Sequence, residues 1–352
     1  MPSCRTPRAG ALIQQETSRV EASGRHGLNS TTKYAVAALV AGLALAGATA
    51  GCATREIPFA ELRQTYGLPA SRTFEPSPGV RVHYTDEGNR EGRTLILVHG
   101  FAASVHAWRP WIERLSPDYR LVAIDLPGHG LTETPDNYRA TLEGNAALVD
   151  ALADQIGVQT FVLAGNSMGG AVSLTYAMAH PARLDGLVLV DAAGWPGDDG
   201  KRGGPPFFVG LVNNAVGHWF IKLFDPRLFA TGGLKSAYHD EALVTDAVVD
   251  RYVDLALAKG HRDVLLTQRS QPGKPWTPVD FHAILIPALV MAGEEDALIP
   301  ADDSRAIAAA IPGAKLAIYP DGGHLPMEQL PDETVKDLRA FLQTLGARPA
   351  RD

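Results

Sequence analysis

Cysteine is nearly absent from the 352 residues: only Cys4 and Cys52 occur, both ahead of the region whose patterning reads as folded, so no disulfide framework holds the core. Positive charge is also short. Lys and Arg number 32 against 39 Asp and Glu, a net charge of −7, with no basic stripe beyond the first thirty-odd residues, which excludes a nucleic-acid partner. No His or carboxylate cluster has metal-ligand spacing, and no Gly-rich loop follows a dinucleotide or phosphate pattern, so neither metal nor cofactor is implied. What remains is 45% hydrophobic residues with 35 Gly and 25 Pro, the composition of a turn-rich globular chain able to bury a large core.

Long apolar runs are absent but for one. Residues 34–51 carry no charge, follow Lys33 and end in Thr49-Ala50-Gly51-Cys52. An uncharged Ala/Gly-rich run behind basic residues is an export signal pattern. Its end resembles a bacterial lipobox, although Thr49 stands where Leu is usual; the resemblance implies lipidation of Cys52. The expectation is an export signal over residues 1–52 and an exported, membrane-anchored lipoprotein facing the periplasm or cell exterior; an ordinary signal or a marginal spanning helix remain alternatives.

Beyond a Pro-rich lead-in (Pro69 to Pro78), residues 80–84 alternate as a strand does and run into an expected turn at Asp86-Glu87-Gly88. Continuous apolar runs follow at 94–98, 120–125, 160–164, 186–190, 287–292 and 315–319, separated by helical patterns. Strands buried on both faces and alternating with helices predict an α/β fold with a mostly parallel, doubly wound sheet. Between Gly194 and about Phe281 the rhythm stops. Gly/Pro punctuation, the aromatics Phe207, Phe208, Trp219, Phe220, Phe224 and Phe229, and a helical pattern over 241–259 read as a helical insertion above the C-terminal edge of the sheet. The expected divisions are a core of 53–194 and 282–352 with a cap of 195–281. The aromatics would line an acyl pocket or form the cap's own core.

The motif that carries chemistry is Gly165-Asn166-Ser167-Met168-Gly169-Gly170, directly after an apolar strand and before the helical run 171–179. A Gly-x-Ser-x-Gly in that context is a nucleophile elbow, which lifts the serine to the top of a sheet at a helix N-terminus. A serine hydroxyl needs a base, and the base needs an orienting acid. Gly322-Gly323-His324, after the last predicted strand, supplies the base; Asp296, after the preceding one, supplies the acid, with Glu294, Glu295 and Asp191 as rivals.

These motifs resemble the α/β-hydrolase superfamily, in the branch with a helical cap between strands six and seven, over roughly residues 75–345. Two further matches are His99-Gly100-Phe101 and Asp125-Leu126-Pro127-Gly128-His129-Gly130. The resemblance implies oxyanion-hole N–H groups at Phe101 and Met168, and loop-shaping roles for His99 and His129. It implies a serine hydrolase without cofactor acting on a small-molecule or lipid ester, esterase- or lipase-like. The elbow is similar to that of the carbon–carbon hydrolases of aromatic degradation, which usually carry Trp after the catalytic His where this chain has Leu325. That activity, and a non-catalytic ligand receptor on the same fold, are the alternatives. The dehalogenase and epoxide-hydrolase branch is disfavoured, since its nucleophile is Asp.

Overall fold

The structure is a computed structural model that describes residues 56–196, 226–269 and 276–346. The chain begins with α1 (Phe59–Tyr66), a hairpin of β1 (Ser71–Ser77) and β2 (Val80–Gly88), and β3 (Thr94–Val98). Then come α2 (Arg109–Leu115), β4 (Arg120–Ile124), α3 (Leu142–Gln155), β5 (Phe161–Asn166), α4 (Met168–Ala179) and β6 (Leu184–Val190). Among the described residues, four helices separate β6 from the next strand: α5 (Arg227–Ala237), α6 (Asp246–Ala256), α7 (His261–Arg269) and α8 (Pro278–His282). The chain closes with β7 (Ala288–Gly293), α9 (Ala301–Ala310), β8 (Lys315–Tyr319), α10 (Pro326–Gln329) and α11 (Pro331–Gln343).

Hydrogen bonding orders the eight strands β1-β2-β4-β3-β5-β6-β7-β8. The β1–β2 and β2–β4 pairs are antiparallel and the rest parallel. Every residue of β3, β4, β5 and β7 is buried, because helices cover both faces. Successive side chains point to opposite faces, so each strand feeds two cores. Ile96, Val98, Leu163, Leu187 and Val290 join Val149, Leu152, Val172 and Ile307 on the face of α3, α4 and α9. Leu95, Leu97, Val162, Val188 and Met291 join Trp111, Ile112, Leu338 and Phe341 on the face of α2 and α11. Burying each large aliphatic or aromatic side chain contributes about 1.5–3 kcal/mol, so the sheet is where the stability of the fold concentrates.

Of the helices between β6 and β7, α5 and α6 stand on the second core, where Leu234, Tyr238, Val249 and Val253 pack with Val105 and Trp108, whereas Phe281 of α8 joins the first. The helical pattern expected over 241–259 divides at Thr245, whose side chain accepts from the Val248 N–H at 3.3 Å and starts α6; residues 241–243 form a separate short turn. The N-terminal segment is tied to this insertion, with Ile57 N–H donating to Leu257 O at 2.8 Å and the Tyr66 hydroxyl to Asp254 at 2.7 Å. The export signal with Cys52, and the aromatics from Phe207 to Phe224, lie outside the described residues.

Two features differ from the sequence reading. The Pro-rich lead-in contains β1, an edge strand that buries Phe74 alone and therefore shows no apolar alternation. The turn expected at Asp86-Glu87-Gly88 is the end of β2, paired with β4 through Gly88 and Arg120. Charge pairing explains the continuation: Arg120 reaches across the ladder and donates from Nε and Nη2 to both oxygens of Asp86, each at 2.9 Å, with both side chains buried. Asp86 is consequently held below the usual carboxylate range by Arg120 and Arg90 in spite of its burial. Removing one partner of a buried pair strands the other charge, at a cost of about 3–5 kcal/mol. Asp86→Ala is expected to lose about that much in urea unfolding, whereas a loss below about 1 kcal/mol would show that Arg120 finds solvent instead.

Candidate active site

Ser167 stands between β5 and α4 with φ 53° and ψ −119°, a backbone geometry that L residues avoid. Its neighbours hold it there: Ser167 N–H donates to Val190 O at 3.0 Å, and its carbonyl accepts from Ala193 N–H at 3.0 Å and Ala171 N–H at 3.2 Å. The flanking glycines are required by space. A Cβ at Gly165 would stand 2.1 Å from the Gly169 carbonyl oxygen, and one at Gly169 would stand 2.1 Å from Val98 O. The strand-to-helix crossing is thus too close for any larger residue.

His324 and Asp296 arrive on the loops after β8 and β7, two strands paired along their length. His324 Nδ1 lies 2.7 Å from Asp296 Oδ2, with both side chains buried. Asp296 Oδ1 also accepts from the N–H groups of Leu298 at 2.7 Å and Ile299 at 2.9 Å, which fixes the carboxylate. A proton on Nδ1 directed at Asp296 leaves Nε2 with its lone pair, the form a general base needs. The elbow and this loop are joined by Asn166, whose Nδ2 donates to His324 O at 3.0 Å and Val190 O at 3.1 Å. Gly100 lies against the elbow, an ideal Cβ there falling 3.0 Å from Ser167 Cβ. Phe101 follows it, its ring edge-on to His129 at 5.9 Å, and Met168 is the first residue of α4.

Asp191, at the end of β6, lies in the same cluster: one ligand-type atom from each of Asp191, Asp296 and His324 falls within 4.8 Å of the others. Among the described residues this is the one His/Asp/Glu group close enough to share a cation. The Nδ1 of His324 is already engaged by Asp296.

The remaining histidines of the motifs bond to backbone, His99 through both ring nitrogens and His129 through Nδ1 alone, its Nε2 being buried without a partner among the described residues. His99 Nδ1 lies 2.7 Å from Gly100 O while its Nε2 accepts from Leu126 N–H at 3.1 Å; His129 Nδ1 lies 3.0 Å from Pro127 O. Burial lowers both below the ordinary imidazole range. His83, which the sequence left unassigned, bonds Asp125 Oδ2 at 2.7 Å and Ser71 Oγ at 2.8 Å, tying β1 and β2 to the end of β4.

The insertion touches the histidine loop directly: His324 N–H donates to Ala237 O at 2.8 Å. Four residues on, Glu328 is largely enclosed beside Tyr238, its side chain 11% exposed and its Oε2 3.9 Å from Arg251. Burial pushes its carboxyl up to about 7, against the pull of Arg251 and the Tyr238 hydrogen bond. The unfolded value is 4.5, so the fold binds this proton more tightly than the open chain does. Its contribution to stability is complete below pH 4.5 and is lost as pH rises through about 7. The melting temperature of the wild type should therefore fall relative to Glu328→Gln between pH 4.5 and about 7; a difference constant across that window would contradict the shift.

The family described as alpha/beta hydrolase fold matches residues 93–331, more than half of the chain. The hydrolase YugF of Bacillus subtilis is 28% identical over 269 residues, covering 75% of this chain and 95% of that protein. The 2-hydroxy-6-oxononadienedioate/2-hydroxy-6-oxononatrienedioate hydrolase of Comamonas testosteroni is 27% identical over 254 residues, covering 69% and 85%. A solved esterase from Rhodococcus superposes with a TM-score of 0.63 at 26% identity, covering 79% of this chain and 100% of that one. With the sheet order, the crossing at Ser167 and these matches together, the chain belongs to the α/β-hydrolase family and is a hydrolase.

Proposed function

We propose that the protein hydrolyses carboxylic esters through an acyl-enzyme on Ser167. The observation that carries the reading is the 2.7 Å bond between His324 and Asp296, on a loop joined to the Ser167 elbow through Asn166. In the proposed cycle Ser167 Oγ attacks the ester carbonyl as His324 Nε2 takes its proton. The tetrahedral intermediate expels the alcohol, which receives that proton, and a water activated by His324 then releases the acid. The backbone N–H groups of Phe101 and Met168 hold the oxyanion, each worth about 3 kcal/mol in the transition state. The Rhodococcus esterase supports the ester reading. The Comamonas relative favours a second one, hydrolysis of a carbon–carbon bond in a dienoate, on the same residues.

Hydrolysis of p-nitrophenyl esters from short to long acyl chains, wild type beside Ser167→Ala, tests the proposal. Activity that falls by about 10³ or more in the variant, with a burst of acylation in the wild type, is the expected outcome. Turnover of a 2-hydroxy-6-oxo dienoate and of no ester would select the second reading. Folded protein inert to both would leave a ligand receptor.

The place of action belongs to the same proposal. Export and lipidation at Cys52 would put the enzyme beside lipidic esters at a membrane surface, with the insertion linked to the anchor by the segment that bonds Ile57 to Leu257. Metabolic labelling with a fatty acid should mark the wild type and not Cys52→Ala. A label that survives the substitution would refute the anchor.

A further inference from the structure

Two carboxyls face the imidazole of His324. Asp296 Oδ2 takes its Nδ1–H at 2.7 Å, and Asp191 presents an oxygen within 4.8 Å of both groups. They come from neighbouring strands. Asp191 follows β6 and donates its own N–H to Met291 O of β7 at 2.8 Å, which sets it beside the strand that delivers Asp296. Asp191 is 1% exposed and Asp296 9%, and two carboxylates so placed in so dry a site cannot both be ionised without severe repulsion. A single proton held by the pair would relieve that repulsion.

Partners decide which carboxyl keeps it. Asp296 has three: the N–H groups of Leu298 and Ile299 on Oδ1, and His324 on Oδ2. Asp191 has Gly293 N–H on Oδ1 at 3.0 Å, while its Oδ2 is buried with no donor among the described residues. A buried oxygen without a donor is the costliest of these atoms to charge and the natural one to protonate. Burial first, and the Asp296 charge second, push the Asp191 carboxyl well above the usual range, and one oxygen of each carboxyl lies within 4.8 Å of the other. The other titratable groups around Asp191, among the described residues, are His324 and Tyr319 of β8.

We propose that Asp191 is a positioning residue that acts through Asp296: its Oδ2 carries the proton of the pair toward Asp296, and the negative charge beside His324 passes to Asp191 when Asp296 is neutralised. The inference rests on the hydrolase reading of Ser167 and His324. It makes the orienting acid a two-carboxyl unit with one charge, in place of a single aspartate.

The test uses the full chain as Asp191→Asn, Asp296→Asn and the double variant, with steady-state kinetics on a p-nitrophenyl ester and NMR titration of the His324 imidazole. Asp191→Asn keeps an N–H donor toward Asp296 and should lower kcat by about threefold with KM unchanged. Asp296→Asn should lose about 10², less than the roughly 10⁴ that removal of a lone orienting carboxylate costs. The double variant should reach that larger loss, a non-additivity that a passive neighbour would not produce. His324 should titrate at higher pH in Asp296→Asn than in the double variant. Equal activity and equal titration in those two proteins would overturn the proposal, as would an Asp191→Asn loss as deep as that of Asp296→Asn. Thermal melts establish that each variant is folded, and Asp191→Ser, which keeps a hydroxyl donor, replaces Asp191→Asn if the amide is not accommodated. If the wild type turns over no ester, the ester proposal falls on that result alone, and the NMR titration still decides on Asp191.

Discussion

The crossing of chain at Ser167 is the constraint on which the rest of the site depends. A serine at φ 53° is strained, and it stays so because Val190, Ala171 and Ala193 bond its backbone on both sides while Gly165 and Gly169 let strand, helix and β3 approach within contact of one another. The two apolar cores on either side of the sheet supply the rigidity that this local cost requires. A serine presented this way has few rotational options and a helix N-terminus beneath it, so much of the ordering that a reaction needs is completed during folding.

The sheet then determines which chemistry can gather around that serine. Strands β5, β6, β7 and β8 are consecutive neighbours, and each ends at the same edge in a residue of the cluster or the loop that bears one: Ser167, Asp191, Asp296 and His324. Residues far apart in the chain become neighbours because parallel strands deliver their C-terminal ends to one side. The electrostatics follow from dryness. A site built at the covered edge of a buried sheet gives strong hydrogen bonds, and it also forces carboxyls that share the space to share a proton.

How much of this could be read in the sequence depended on whether the signal was local. The elbow was legible because its glycines, strand and helix are contiguous, and the parallel strands because both of their faces are apolar. The strand β1 was not, since Phe74 is its one buried side chain and the rest of its pattern is polar. The passage of β2 through Asp86-Glu87-Gly88 was hidden for a different reason: the residue that neutralises Asp86 is Arg120, on another strand, and no local rule shows that pairing. Asp191 could be noticed at the end of an apolar run, but its nearness to Asp296 arises from the β6–β7 pairing, across the whole insertion. The Glu328, Tyr238 and Arg251 contact is of the same kind, formed between the insertion and α10.

The bond from His324 N–H to Ala237 O has a consequence for how such an enzyme diversifies. An insertion that only roofed a pocket could be exchanged between relatives to alter what fits beneath it, with the chemistry left alone. Here the insertion's own backbone takes part in holding the histidine loop, so its rearrangement would reach His324 as well as whatever fits beneath it. Under the proposed mechanism, selection on substrate choice would then also be selection on proton transfer, and a transplanted insertion would have to bring back a carbonyl at the position of Ala237 before its new shape could be of use.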